Sequence, residues 1–278
     1  MPITNERWQA TRTAVAATAT RFVELVAASD PRTMATADWS VADTAAHVAT
    51  IAFMYTHIVR SDEPAIPAIQ EQVLATSVDT VADLNERALE LFGERDPATL
   101  VERLRADVVE ILRVTETLDP ATVVTWLGDS KVPIAGVLAH LVNELQIHGR
   151  DIARATRTPW PVPPADAALF FEVFFVELIR HGVGHLLDND EPPRARRIAV
   201  SFRSRHTAPV TIVLHNGQVS VEEPGEPTDV RIFFDPPTLN LMMFHRVGKA
   251  RAALTGKVIV SGRRPWLLPA FLRTVRCP

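Results

Sequence analysis

Four prolines fall within the seven residues Thr158-Pro159-Trp160-Pro161-Val162-Pro163-Pro164. Each fixes its own φ, lacks an amide donor and disfavours helix at the residue before it, so no helix continues through this stretch. The segment reads as a stiff linker, and the hydrophobic period changes beyond it. Upstream, apolar residues recur at helical spacing; downstream, after one more helix, they alternate. The chain is therefore expected to divide into a helical part, residues 1–158, and a mixed part, residues 165–278.

In the helical part, Trp8, Val15, Phe22, Val23 and Val26 mark a helix from about Asn5 to Ala28, and Asp30-Pro31 breaks it. Ser40 and Asp43 form an S-x-x-D capping box, which starts a second helix that runs to about Arg60. Pro64 and Pro67 interrupt it. A third helical stretch covers Thr80 to Phe92, and Asp96-Pro97 opens a fourth that ends near Leu118. Pro133 occupies the first turn of a last helix, which carries Val137, Leu138, Leu141, Leu145 and Ile152. Long helices joined by short loops are the signature of a helix bundle.

Beyond the prolines a helix is expected from Ala165 to Leu187, with Gly182-Val183-Gly184 inside it. Strands follow at Ile198–Phe202, Val210–Leu214, Val219–Val221, Val230–Phe234 and Val258–Val260, with Asn216-Gly217 making a tight hairpin. Helical patterns fill Thr238 to Arg246 and Trp266 to Val275. The fold class read from these patterns is multi-domain, α and α+β: a helix bundle followed by a small antiparallel-sheet α+β domain.

Two short segments carry the chemistry. Trp39-Ser40-Val41-Ala42-Asp43-Thr44-Ala45-Ala46-His47 opens the second helix, and Asn143-Glu144-Leu145-Gln146-Ile147-His148-Gly149-Arg150-Asp151 lies on the last. Glu144 and His148 stand four apart, so both leave one helix face. With an imidazole from another helix, such as His47, they supply three ligands for a divalent metal and leave a fourth position open. Asp43 and Asp151, one turn from these histidines, are candidates to orient them. His140 shares the Glu144 stripe but lies too far along a straight helix to bind the same ion as His148, so it reads as a supporting or pocket-lining residue. His57 falls off the His47 face, and His181 with His185 makes a further i, i+4 pair with no matching acid.

Other chemistries are excluded or disfavoured. No G-x-S-x-G elbow and no phosphate-cradling glycine loop is present, and the single cysteine, Cys277, stands next to the C-terminus. One cysteine cannot form an internal disulfide or a thiolate metal cluster, which favours a reducing compartment. A formal net charge of -4 gives no electrostatic case for nucleic acid. The first residues carry no signal-peptide core, and no uncharged apolar run is long enough to span a bilayer, so a cytoplasmic protein is expected.

The segments around Trp39–His47 and Glu144–Asp151 resemble the N-terminal domain of the mycothiol-dependent maleylpyruvate isomerase family, part of the wider DinB-like group of metal-binding four-helix bundles. The segment from Gly248-Lys249-Ala250-Arg251 to Val260, extended by Gly262-Arg263-Arg264-Pro265-Trp266-Leu267, resembles the sterol-carrier-protein-like domain that accompanies this bundle in many actinobacterial proteins. The first resemblance implies a divalent metal, usually zinc, held by His47, Glu144 and His148. It also implies mycothiol or a similar low-molecular-weight thiol as cosubstrate. The reaction implied is isomerisation or thiol transfer on a small electrophile. Lys257, Arg263 and Arg264 are candidates to neutralise a substrate carboxylate from the second domain. Two other readings remain: a binding protein for an apolar ligand, in which Phe170, Phe171, Phe174 and Phe175 line the pocket, and a metal-dependent hydrolase.

Overall fold

The computed structural model describes residues 3–189, 195–223 and 225–276, so Cys277 lies outside the described residues. The chain opens with α1 (Asn5–Ala27) and α2 (Val41–Arg60). Thr4 caps the first; Ser40 and Asp43 cap the second with the reciprocal hydrogen bonds of a capping box. Then come α3 (Gln70–Ala75), α4 (Val81–Phe92) and α5 (Pro97–Val114), the last started by an Asp96 side chain that accepts from the Thr99 amide. It stops at Val114 rather than Leu118. A two-stranded antiparallel ribbon, β1 (Val123–Thr125) and β2 (Lys131–Pro133), precedes α6 (Ile134–Thr156).

Helices α1, α2, α5 and α6 pack as the bundle. Nearly the whole length of α6 is buried, including His140, Glu144 and His148. A helix buried on all sides sits at the centre of its fold, so the polar residues of α6 point into the interior.

The proline segment does not hang free. Trp160 lies over Gly149 of α6 so closely that a Cβ there would overlap the indole ring. Its Nε1 donates to the Gln146 carbonyl at 3.1 Å, and the Arg21 guanidinium caps its ring at 4.4 Å. Only glycine permits this approach.

The expected helix over Ala165 to Leu187 is composite. It begins as α7 (Pro164–Leu169), widens into a π-helical stretch over Phe170–Phe175, and ends as α8 (Val176–His181). Gly182 and Gly184, with φ of 126° and 52°, stop it, so the sequence expectation of helix through these glycines is corrected. His181 and His185 therefore share no helix face. His181 Nε2 faces Glu177 at 3.5 Å, and His185 Nδ1 faces Asp188 at 2.9 Å.

The C-terminal sheet contains β3 (Ile198–Arg203), β4 (Val210–His215), β5 (Gln218–Glu222), β6 (Val230–Phe234) and β7 (Val258–Ser261) in the order β5-β4-β3-β6-β7. Three of its pairs are antiparallel, but β3 and β6 run parallel, with Val200 opposite Val230. The sheet is thus mixed. Alternation reveals which side of a strand is buried but not which neighbour it takes, and the chain crosses from edge strand β5 to the far side of β3. The hairpin at Asn216-Gly217 has both residues at positive φ, 52° and 76°, the geometry of a type I′ turn. Helices α9 (Pro236–Met243), α10 (Lys249–Leu254) and α11 (Leu268–Thr274) complete the chain. Phe171 from the π-helical stretch packs on Phe202 and Phe234 at 5.2 and 4.9 Å, so one continuous apolar core joins bundle and sheet.

Candidate metal centre

His47 comes from the second turn of α2, and Glu144 and His148 from successive turns of α6. Their donor atoms lie within 4.8 Å of one another, and all three side chains are buried. One carboxylate oxygen, Glu144 Oε2, lies 3.5 Å from His47 Nε2 and 3.3 Å from His148 Nε2. Ligands at about 2.1 Å from a zinc ion stand about 3.4 Å apart along a tetrahedron edge, so the two separations to Glu144 suit such a site. The two imidazoles meet edge to face at 4.9 Å, and Trp39 lies against His47 at 4.7 Å, which restricts both rings. Among the described residues this is the only group of three or more His, Cys, Asp or Glu side chains arranged for a metal.

The second oxygen of Glu144 is engaged from behind. Trp126 Nε1 donates to the Tyr55 hydroxyl at 2.9 Å, and that hydroxyl lies 2.9 Å from His140 Nδ1. An indole N–H only donates, so Tyr55 accepts from Trp126, and its own proton goes to His140 Nδ1 when that ring is protonated on Nε2. His140 Nε2 faces Glu144 Oε1 at 3.5 Å. His140 thus stands against Oε1 while Oε2 is directed at His47 and His148. Tyr55→Phe breaks this relay at its middle. Metal affinity is expected to fall about tenfold, the usual effect of losing such a supporting contact, when measured by chelator competition. An affinity equal to wild type would show that the relay does not position Glu144.

Electrostatics favour neutral imidazoles beside an ionised carboxylate. Burial lowers the His47 pKa below its ordinary value, assisted by His148, against an opposing pull from Glu144. Burial likewise lowers His140. For Glu144 burial acts upward, but the bonds from His148 and His47 outweigh it and hold the carboxyl well below its usual range. The unfolded chain therefore takes up protons near pH 6.5 that folded His47 and His140 refuse. Stability of metal-free protein is expected to be full above that pH and to decline as the solution is acidified below it, with Glu144 adding to the loss below about 4.5. Urea denaturation at pH 7.5 and pH 5.5 checks this, and coincident midpoints would contradict it.

Other residues highlighted by the sequence have distinct places. The Asp43 carboxylate caps α2 through Ser40 and pairs with Arg95 at 2.8 Å, rather than orienting His47. Asp151 Oδ2 stands 3.7 Å from His148 Nδ1, beyond hydrogen-bond reach, and accepts from Arg246 Nη2 at 2.9 Å. His57 Nδ1 meets the Glu63 carbonyl. Lys257 and Arg264 are exposed and face Asp235 and Asp229, and Arg263 is exposed on the loop after β7. None of these three lines the cavity at the metal centre, because β7 is an edge strand whose Ile259 and Val260 are also exposed.

That cavity measures about 930 Å³ and includes His47, His140, Glu144 and His148 in its wall. Its basic residues are Arg150, Arg154, Arg246 and Arg276, together with histidines. Burial and the charges of Arg154, Arg246 and Arg251 outweigh Asp151 and hold Arg150 below the usual guanidinium value. Arg246 was not singled out by sequence. It lies just past α9, and nothing local signals its partner 95 residues upstream.

Residues 9–153, more than half of the 278-residue chain, match the family model described as the mycothiol maleylpyruvate isomerase N-terminal domain. Two crystal structures of mycothiol-dependent maleylpyruvate isomerase, one of a mutant, superpose with TM-scores of 0.53 and 0.52 at 12% and 11% identity. Each covers 91% of this chain and 92% of the other, a likeness that speaks for the fold alone. Sterol carrier protein 2 from Yarrowia lipolytica aligns with 25% of this chain at a TM-score of 0.20, too low to carry an argument. No curated protein sequence matches.

Proposed function

Since this chain belongs to the mycothiol maleylpyruvate isomerase N-terminal domain family, we propose that it is a metal-dependent enzyme that uses mycothiol or a similar thiol on a small electrophile. The observation that carries this reading is the buried set His47, Glu144 and His148, with donor atoms within 4.8 Å of one another on the wall of a large cavity. Two imidazoles and a carboxylate would suit a zinc ion, which such a set would leave able to take an exchangeable ligand. A divalent cation there supplies the positive charge that keeps a thiol ionised at neutral pH.

The remaining chemistry belongs to the chain. Trp39 packs on His47 and forms part of the cavity wall beside it. Arg246, fixed by Asp151, and Arg150 beside it offer guanidinium groups to an anionic end of the substrate. This role falls to them rather than to Lys257, Arg263 or Arg264, which stand off the cavity. In the isomerisation the thiolate sulfur adds to one carbon of a conjugated cis alkene, and the electron pair moves toward the activating carbonyl. Rotation about the resulting single bond follows. Expulsion of the same thiolate restores the alkene in the trans form, so the thiol is regenerated and no redox partner is consumed. If the adduct is protonated instead, the outcome is thiol transfer. No helix among the described residues is long and apolar enough to cross a membrane.

The test is zinc-loaded protein assayed on a cis α,β-unsaturated keto acid with mycothiol, with another low-molecular-weight thiol, and without thiol. Turnover that requires thiol supports the reading. Thiol-independent ester or amide hydrolysis, with no thiol-dependent reaction, overturns it in favour of a metal-dependent hydrolase.

A further inference from the structure

The cavity is far larger than a short keto acid needs, and it also has to admit the thiol of the proposed reaction. At about 930 Å³ it reaches the upper end of the roughly 300–1,000 Å³ typical of pockets that enclose drug-sized ligands. One part of that space is largely apolar, although Arg276, paired with Asp79 just ahead of α4, also borders the cavity. The apolar part extends from the metal ligands between α2, the α3–α4 layer and the π-helical stretch, where Ile51, Met54, Ile58, Ile66 and Leu127 line it.

Two observations give this region its character. First, Ile69, Val73, Leu84 and Ala88 form a small apolar cluster separate from the main core, and all four line the cavity. Met54 and Leu127 touch both clusters but do not fuse them. The four thus form a satellite of the main core that faces the cavity. Second, Ile51, Met54, Ile58, Ile66 and Leu127 are only half-buried although they face inward. Apolar surface left wet in this way gains about 0.8 kcal/mol for each methylene-sized group that covers it. The opposite wall is aromatic and aliphatic, with Phe174, Phe175 and Leu178. Phe174 also touches His140 at 4.7 Å, so the apolar region reaches to within one side chain of Glu144.

We propose that this compartment receives a hydrocarbon chain, so that the electrophile carries an aliphatic tail of several carbons beside its reactive end. The inference specifies the substrate class of the reading given above and rests on it for the reactive end alone; the compartment exists without metal or thiol. The tail lies along Ile51 and Met54 toward the separate cluster, and its polar end faces His148 and Arg246.

Saturated fatty acids test the compartment without any reaction. Hexanoate, octanoate and decanoate are titrated calorimetrically into wild-type protein and into Met54→Trp. Met54 is half-buried and its side chain borders open space, and a second filling variant, Ile51→Trp, covers the case of misfolding. Affinity is expected to rise up to about fourfold per added methylene and to be lost in the folded filling variant. Affinity independent of chain length, or unaffected by both tryptophans, overturns the proposal. The two readings fail separately. Chain-length-dependent binding in a protein with no thiol-dependent activity removes the enzyme but keeps the compartment. Thiol-dependent turnover with no chain-length dependence does the reverse.

Discussion

His148→Ala is expected to purify without the metal that wild-type protein retains, and to lose thiol-dependent turnover entirely within detection. Removing a residue that merely supports a ligand costs about 10- to 100-fold in metal affinity, so loss of one ligand of three exceeds that. The fold should survive, because His148 faces a cavity rather than packed core and its removal leaves α6 bounded by the same apolar neighbours. Glu144 loses one of its three imidazole neighbours, a cost for a buried carboxylate, but keeps His47 and His140. Elemental analysis with His47→Ala alongside is the measurement. About one divalent ion per wild-type chain, absent from both variants, is the expected result. Equal metal in all three proteins would mean that the ion binds elsewhere, and no metal in reconstituted wild type would end the enzyme reading.

The second large effect concerns Arg246→Met. Asp151 is buried, and Arg246 holds it with Nε and Nη2 at 3.2 and 2.9 Å. Removing the guanidinium leaves an uncompensated interior carboxylate. Breaking a fully buried pair costs about 3–5 kcal/mol; Arg246 is part exposed and Arg150 lies near, so a loss of about 2 kcal/mol is the better estimate. For a chain of this size that corresponds to a fall of roughly 4–8 °C in Tm. The double variant Arg246→Met with Asp151→Leu should recover most of the stability, because two apolar groups replace a pair, yet should not recover affinity for an anionic substrate. Thermal denaturation and KM for a carboxylate substrate separate the two roles. If the double variant regains KM as well, Arg246 acts on structure alone.

What the sequence made legible was local. The capping box at Ser40 and Asp43 and the hairpin at Asn216-Gly217 follow from contacts within four residues, and the backbone geometry bears them out. Glu144 and His148 could be placed on one face because helical periodicity needs no knowledge of the partner. The links from Trp126 to Tyr55, from Tyr55 to His140 and from Arg246 to Asp151 span 71, 85 and 95 residues, and no spacing rule reaches that far. The same limit explains the parallel pairing of β3 with β6. Asp43 misled for a local reason: one carboxylate served two candidate roles, and the cap took it. Lys257, Arg263 and Arg264 stood out as cations near glycines, but charge in a strand loop does not reveal which way the sheet edge faces.

The contact of Trp39 with both imidazoles, at 4.7 Å from His47 and 6.0 Å from His148, gives the protein a built-in optical signal. Indole emission is sensitive to the charge and hydrogen bonding of rings it touches. Filling or emptying the site should therefore change the emission of this tryptophan, and Trp39→Phe should silence that part of the change. Occupancy can then be followed in real time on unlabelled protein, in the stopped-flow cell as readily as at equilibrium, with the order of ion, thiol and substrate arrival read from successive phases of one trace.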